Sequence, residues 1–354
     1  MAITVERTAR PRPRPKDDEL GFGKVFTDHM LLVEWHEGQG WHDARIVPYG
    51  PLPLDPAASV LHYGQAAFEG MKAFRRDGGR MALFRPHAHA ARLARSAARL
   101  CMPEVPESLL LEGVKALLRE DAAWMPSAAG TSLYVRPFLF ATEAFLGVRP
   151  SKSCLFAVIV SPVAGYFSGP ARPLRIWVEQ ERARAARGGI GAAKAAANYV
   201  ASLQAAEEAK ARGYDQVLWL DGAEHRYVEE IGTMNFFAKI AGRIVTPALE
   251  GTILAGVTRD CVIQLCRDLG VPVEERRVTL AEIAAARTAG TLEEVFGTGT
   301  ASLVAPIGEL GWGGGEALQL PAPGPGALGE KLRAALGAVQ RGEAPDRHGW
   351  LEAV

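Results

Sequence analysis

Lys194 lies in the run Gly188-Gly189-Ile190-Gly191-Ala192-Ala193-Lys194-Ala195-Ala196-Ala197-Asn198-Tyr199, a lysine set among small residues. Small neighbours let a backbone come close to a flat ligand. An ammonium in apolar surroundings also loses its proton more readily, which makes it a nucleophile. The competing reading is an Ala-rich helix whose lysine keeps its tip in water. Gly189-Ile190-Gly191 resembles the start of a dinucleotide loop, but Lys194 occupies the third glycine position. No Ser or Thr follows that lysine, as a P-loop would require.

Three further runs carry complementary chemistry. Glu229-Glu230-Ile231-Gly232-Thr233-Met234-Asn235 puts a carboxylate at a turn before an apolar stretch. Leu254-Ala255-Gly256-Val257-Thr258-Arg259 reads as a loop feeding a helix, whose first amides suit a phosphate. Gly297-Thr298-Gly299-Thr300-Ala301-Ser302 follows an apolar run and offers hydroxyls and glycine amides to an anion. A lone glutamate or a polar turn would mean little. Together, a nucleophilic lysine, a distant carboxylate and two phosphate-type turns converge on pyridoxal 5′-phosphate. Its aldehyde condenses with a lysine, its ring nitrogen wants an acid, and its phosphate wants N–H and O–H donors.

The elements that must position these groups alternate strands and helices without a regular βαβ order, which predicts an α+β chain. Residues 1–20, with their Arg-Pro alternation, read as a mobile or surface-laid arm. Residues 21–163 read as a smaller N-terminal α/β domain. It has strands near 30–35, 80–85, 132–140 and 154–160, and helices over 90–100 and 107–118. Residues 164–173 read as an interdomain loop. Residues 174–354 form a larger second domain, with a long helix predicted from Ala195 to Arg212 and strands at 216–220, 236–240 and 243–246. Turns are expected at Asp221-Gly222 and Ala241-Gly242, a helix stop at Gly270, a capping box from Thr279 to Glu282, and a surface tail after Gly342.

Composition narrows the class. The 354 residues hold 40 basic and 40 acidic side chains and are 48% hydrophobic. That balance argues against a nucleic-acid partner and against a disordered chain. No apolar run is long enough for a membrane span, and none follows the basic N-terminus as a secretion signal would. Cys101, Cys154, Cys261 and Cys266 have no metal-type spacing and read as buried, reduced thiols, which predicts a cytoplasmic setting.

The spaced pattern from Glu230 through Asn235, Phe236, Phe237 and Thr246 to Leu254-Ala255-Gly256-Val257-Thr258-Arg259 resembles the class IV aminotransferases. Leu61-His62-Tyr63-Gly64, Phe68-Glu69-Gly70-Met71-Lys72 and Tyr134-Val135-Arg136-Pro137 resemble the branched-chain amino acid aminotransferases within that class. Similarity runs from about Gly21 to Leu351. The resemblance implies fold type IV, with a barrel-like sheet in the larger domain, pyridoxal 5′-phosphate as cofactor, and a homodimer. It also implies exchange of an amino group between leucine, isoleucine or valine and 2-oxoglutarate, by way of 2-oxo acids and glutamate. A D-amino acid aminotransferase or aminodeoxychorismate lyase of the same fold is the alternative.

Roles carry over position by position. Lys194 would bind the cofactor and move the reacting proton. Glu230 would face the ring nitrogen and Tyr199 the ring hydroxyl. Arg92, Val257, Thr258 and Thr300 would hold the phosphate. Tyr134, Thr300 and Ala301 would hold the substrate carboxylate. Phe22, Tyr63, Phe68 and Thr233 would wall the side-chain pocket, with Thr233 also touching the cofactor. Arg136 would meet the second carboxylate of glutamate. The chain departs from animal members at Ser302 and Ala305, where those carry a redox CxxC pair, and at Ala255, where a proline is usual.

Overall fold

The computed structural model describes residues 1–164 and 172–354. These form two compact units. The first takes residues up to 164, together with Ala193–Ala197 and Ala338–Val354; the second takes residues 172–192 and Asn198–Gly337. The expected boundary at 174 therefore misses two returns of the chain to the first unit. Most of the expected interdomain loop, 165–171, lies outside the described residues.

The first unit is built on one sheet. Its strands are β1 (Thr4–Val5), β2 (His29–His36), β3 (Gly40–Pro48), β4 (Ala66–Phe68), β5 (Met71–Arg75), β6 (Met81–Phe84), β7 (Ser132–Ala141) and β8 (Ser153–Val163), with Leu351–Ala353 at the far edge. β7 and β8 pair antiparallel over ten residues, with Tyr134 opposite Ser161 and Arg136 opposite Ile159. Among the described residues, helices lying wholly in this unit include α1 (Ser59–Tyr63), α2 (Pro86–Arg99) and α3 (Glu107–Glu120). The apolar residues of α2 and α3 recur at spacings of three and four. Leu93, Ala97, Leu110, Val114 and Leu117 accordingly pack with Leu31, Val33, Leu133 and Val135 of the sheet in one buried core.

Of the two ends of the chain, the N-terminal arm takes one of the two states expected of it and the C-terminal tail differs from expectation. The arm is laid down, since Thr4 and Val5 pair in parallel with Arg45 and Ile46. The tail is no surface appendage: Trp350 is buried, and Leu351–Ala353 pairs antiparallel with β6. Cys154, Cys261 and Cys266 are buried as expected, whereas Cys101 is exposed at a positive φ of 53°.

The second unit contains β9 (Leu174–Glu179), β10 (Gln216–Leu220), β11 (Val228–Ile231), β12 (Met234–Ile240), β13 (Arg243–Thr246), β14 (Val273–Glu275), β15 (Leu292–Gly299), β16 (Leu303–Trp312) and β17 (Glu316–Gln319). Strands run in the order β11-β10-β9-β16-β15-β12, and β12 pairs back onto β11, so six strands close a barrel. Ile176, Leu218, Ile231, Phe236, Val295 and Leu310 contribute to its buried core. The β12–β13 hairpin turns at Ala241-Gly242, both at positive φ (48° and 77°), the geometry a two-residue hairpin turn needs. The β10–β11 connection is longer, and Asp221 ties it by accepting the backbone N–H groups of Ala223, Glu224, Arg226 and Tyr227.

The long helix predicted over 195–212 is two helices, α4 (Ala196–Val200) and α5 (Leu203–Ala211). Ser202 interrupts them by donating its hydroxyl to the Tyr199 carbonyl at 2.7 Å, competing with the helical ladder. Ala195 is held out of the helix by a bridge to Ala67. α6 (Val257–Asp268) closes in a Schellman motif, with Val271 N–H on Cys266 O and Gly270 N–H on Arg267 O, and Gly270 at φ +69°. α7 (Leu280–Thr288) starts at Thr279, whose hydroxyl accepts the Glu282 N–H. α8 (Leu328–Arg341) leads back towards the C-terminal segment. No helix among the described residues is long and apolar enough to cross a membrane.

Candidate active site

In the first unit the backbone of Lys194 is fixed on both sides. Its N–H donates to Ser96 Oγ at 2.9 Å, and its carbonyl accepts the Phe68 N–H at 3.1 Å. Ser96 belongs to α2 together with His89 and Arg92. Spacings of three and four place all three on one helical face. Arg92 makes a bidentate pair with Glu69, Nε to Oε1 at 2.6 Å and Nη2 to Oε2 at 2.9 Å, while His89 Nδ1 lies 2.7 Å from Oε2. Glu69 is fully buried. Burial pushes its carboxyl up, but Arg92 and His89 outweigh that and hold it well below the usual range.

The Lys194 ammonium lies 4.8 Å from the Phe68 ring centre. Burial, with the neighbouring charge of Arg92, lowers its pKa from 10.5 to about 8, so a sizeable fraction is neutral near physiological pH. Arg136 stands over the same Phe68 ring at 4.8 Å and over Tyr134 at 5.3 Å, and donates through Nη2 to the Tyr134 hydroxyl at 3.0 Å. Its Nε is buried without a hydrogen-bond partner among the described residues. Phe22 meets Tyr134 edge-on at 4.9 Å. Tyr134 passes over Gly70, where a Cβ would collide with its hydroxyl. Phe22, Phe68, Tyr134, Arg136, Arg92 and Lys194 are thus linked through this unit, whereas Tyr63 is 46% exposed and donates its hydroxyl to Leu146 O.

In the second unit the decisive feature is a row. Glu230 of β11 is opposite Asn235 of β12, and Asn235 is opposite Thr298 of β15, so their side chains project on one side of the sheet. Gly232 and Thr233 are the two residues of the β11–β12 turn, and Thr233 is exposed. Asn235 donates through Nδ2 to Glu230 Oε1 at 3.2 Å and to Leu254 O at 3.0 Å, tying the acid to the turn that precedes α6. Gly256 caps α6. A Cβ there would strike the Asn235 carboxamide, and no side chain caps the helix, so the amides of Val257 and Thr258 belong to an uncapped first turn. Thr298 Oγ1 is buried and lacks a partner among the described residues. Thr300 and Ala301, half-buried, follow β15 in its turn to β16. Tyr199, also half-buried, lies on α4.

Sequence reasoning passed over three residues here. Arg184 Nε lies 2.8 Å from Glu230 Oε2, and its Nη2 donates to Thr252 O. Nothing in the charged run 179–187 separates it from its neighbours. Glu69 was visible only inside a motif, and Thr298 only inside a polar turn. Gly191 has a different reason from the one expected: a Cβ there would collide with the backbone of Thr252, so its smallness serves protein packing.

The first unit carries a depressed-pKa amine. The second carries a buried acid, an uncapped helix start and a buried hydroxyl. These are the group types that the aldehyde, ring nitrogen and phosphate of a phosphorylated pyridine aldehyde call for. Comparison with known proteins decides the family. The model of the class IV amino-transferases matches residues 66–310. A branched-chain-amino-acid aminotransferase 2 of Bacillus subtilis (strain 168) is 47% identical over 354 residues, spanning 100% of this chain and 97% of that one. The chain belongs to the branched-chain aminotransferases of class IV. Solved structures agree. The branched-chain aminotransferase of Thermoproteus uzoniensis with norvaline superposes at a TM-score of 0.73 with 26% identity, over 91% of this chain and 99% of that one. The T.th. branched-chain amino acid aminotransferase complexed with N-(5′-phosphopyridoxyl)-L-glutamate does so at 0.72 with 27% identity, over 94% and 98%. This branched-chain aminotransferase therefore has the fold type IV architecture that its barrel displays.

Proposed function

We propose that this aminotransferase exchanges amino groups between leucine, isoleucine or valine and 2-oxoglutarate in two half-reactions on one pyridoxal 5′-phosphate, as a cytoplasmic homodimer. The observation that carries the reading is Arg136 among aromatic rings, over Phe68 at 4.8 Å and bonded to Tyr134. An apolar wall takes a branched side chain. A guanidinium set in that wall takes the second carboxylate of glutamate, a bidentate partner that Lys could not match.

When bound, the cofactor supplies an aldehyde to carry the amino group and a ring that accepts electron density from the substrate Cα. Lys194 would hold the cofactor and would move the proton between the substrate Cα and the cofactor's C4′. Its lowered pKa of about 8 leaves the amine able to do both near neutrality. Glu230 holds the proton on the ring nitrogen, with Asn235 and Arg184 fixing the carboxylate. Tyr199 donates to the ring oxygen. Arg92, the amides of Val257 and Thr258, and Thr300 would be the donors to the phosphate. Tyr134, Thr300 and Ala301 orient the substrate carboxylate. Phe22, Phe68 and Thr233, with the partner subunit's Tyr63, would exclude water from the side-chain pocket. Exposed Leu61, Tyr63, Phe145, Leu146 and Val148, grouped by the Tyr63–Leu146 hydrogen bond, are the apolar surface we assign to the partner subunit.

The visible spectrum of the purified protein tests the reading. Leucine should bleach the cofactor band and 2-oxoglutarate should restore it. A band indifferent to leucine would favour the D-amino acid or lyase alternatives, and no band after reconstitution would remove Lys194 from its role.

A further inference from the structure

The β2–β3 hairpin carries a cluster that the transamination chemistry does not use. Glu34 and His36 are two residues apart on β2, and His42 is directly opposite Glu34 on β3, so the three share one face. Trp35 and Trp41, on the other face, pack against the buried core and hold the hairpin rigid. Among the described residues, one ligand atom each from Glu34, His36 and His42 lies within 4.8 Å of the others. His36 Nδ1 and His42 Nε2 face each other at 3.3 Å. That is long for an N–H···N hydrogen bond. Two imidazole nitrogens each about 2.0–2.1 Å from a tetrahedral zinc stand about 3.3–3.4 Å apart.

His42 is also prepared as a ligand. Its Nδ1–H donates to Gly40 O at 2.9 Å, which leaves the Nε2 lone pair aimed at His36. Backbone carbonyls fix ligating imidazoles in this way in many metal sites. Glu34 is oriented by Arg45, whose Nη2 donates to its Oε1 at 2.8 Å while Nη1 contacts Asp43. We infer that Glu34, His36 and His42 form a surface site for a divalent transition metal of the zinc class, with water completing the coordination. Two imidazoles and a carboxylate favour zinc, copper or nickel over magnesium or calcium, which prefer all-oxygen shells.

The test uses untagged holoenzyme, stripped of adventitious metal by chelator and dialysed against zinc chloride. One zinc per chain is expected in wild type. His36→Ala and His42→Ala should each weaken binding by at least about tenfold with unchanged circular dichroism, since losing a ligand to the metal costs more than the 10–100-fold of losing a supporting partner. Cys101→Ser should bind as wild type. Cobalt(II) should give a spectrum of nitrogen and oxygen ligation. Equal zinc binding by wild type and the histidine double variant would overturn the assignment. So would a cobalt–thiolate band that vanishes in Cys101→Ser, or no binding by wild type at micromolar zinc.

Discussion

Arg184 Nε lies 2.8 Å from Glu230 Oε2, with both side chains less than a tenth exposed. The contact is ionic and makes no aligned hydrogen bond through Nε, while the same guanidinium reaches the Thr252 carbonyl. One arginine therefore joins the acid strand to the segment ahead of α6. Removing one partner of a buried pair leaves the other charge stranded, at a cost of about 3–5 kcal/mol. Arg184→Gln should lose stability on that scale in urea denaturation. Glu230→Gln should keep cofactor and lose most turnover. Unchanged turnover in Glu230→Gln would take the carboxylate out of the mechanism.

The Lys194 amine, lowered to about 8, is cationic below that pH and neutral above it. Only the neutral form attacks an aldehyde. The rate at which apoprotein takes up pyridoxal 5′-phosphate should rise through pH 8 and level off above it. An ordinary lysine would keep gaining up to about pH 10.4. Stopped-flow growth of the visible band measures this, and Lys194→Ala should show no such band.

Arg136→Ala should separate the two substrates. Losing a charged hydrogen-bond donor costs about 1.5–3 kcal/mol, or roughly ten- to a hundredfold in kcat/KM for 2-oxoglutarate. The half-reaction with leucine should change far less. Single-turnover spectra for each half-reaction provide the comparison, and equal losses would make Arg136 a structural residue.

Gly256→Ala should act at a distance from its own position. The new Cβ would strike the Asn235 carboxamide, which bonds both Glu230 and Leu254 O. Weaker cofactor retention on gel filtration, with turnover falling about tenfold or more for one displaced charge-assisted hydrogen bond, is the expected result.

Local patterning made much of this fold legible. The periodicity of 107–118 marks α3, the Thr279 capping box marks the start of α7, and Ala241-Gly242 marks a hairpin turn. What stayed hidden depended on distant partners. Ala195 belongs to an Ala-rich run by propensity, yet Ala67 holds it extended. Trp350 follows a Gly- and Pro-containing tail, yet is buried beside Phe84 at 5.7 Å. The site divides in the same way. Lys194 and Glu230 stand out by type and context, whereas Arg184 and Thr298 gain meaning only from register across strands or from a distant carboxylate.

The strand at Leu351–Ala353, paired with β6, has a bearing on how the chain is made. During translation β6 emerges early, but its edge waits until nearly all of the second unit has left the ribosome. The first unit thus cannot finish on its own timetable, and the nascent chain carries an open sheet edge through most of synthesis.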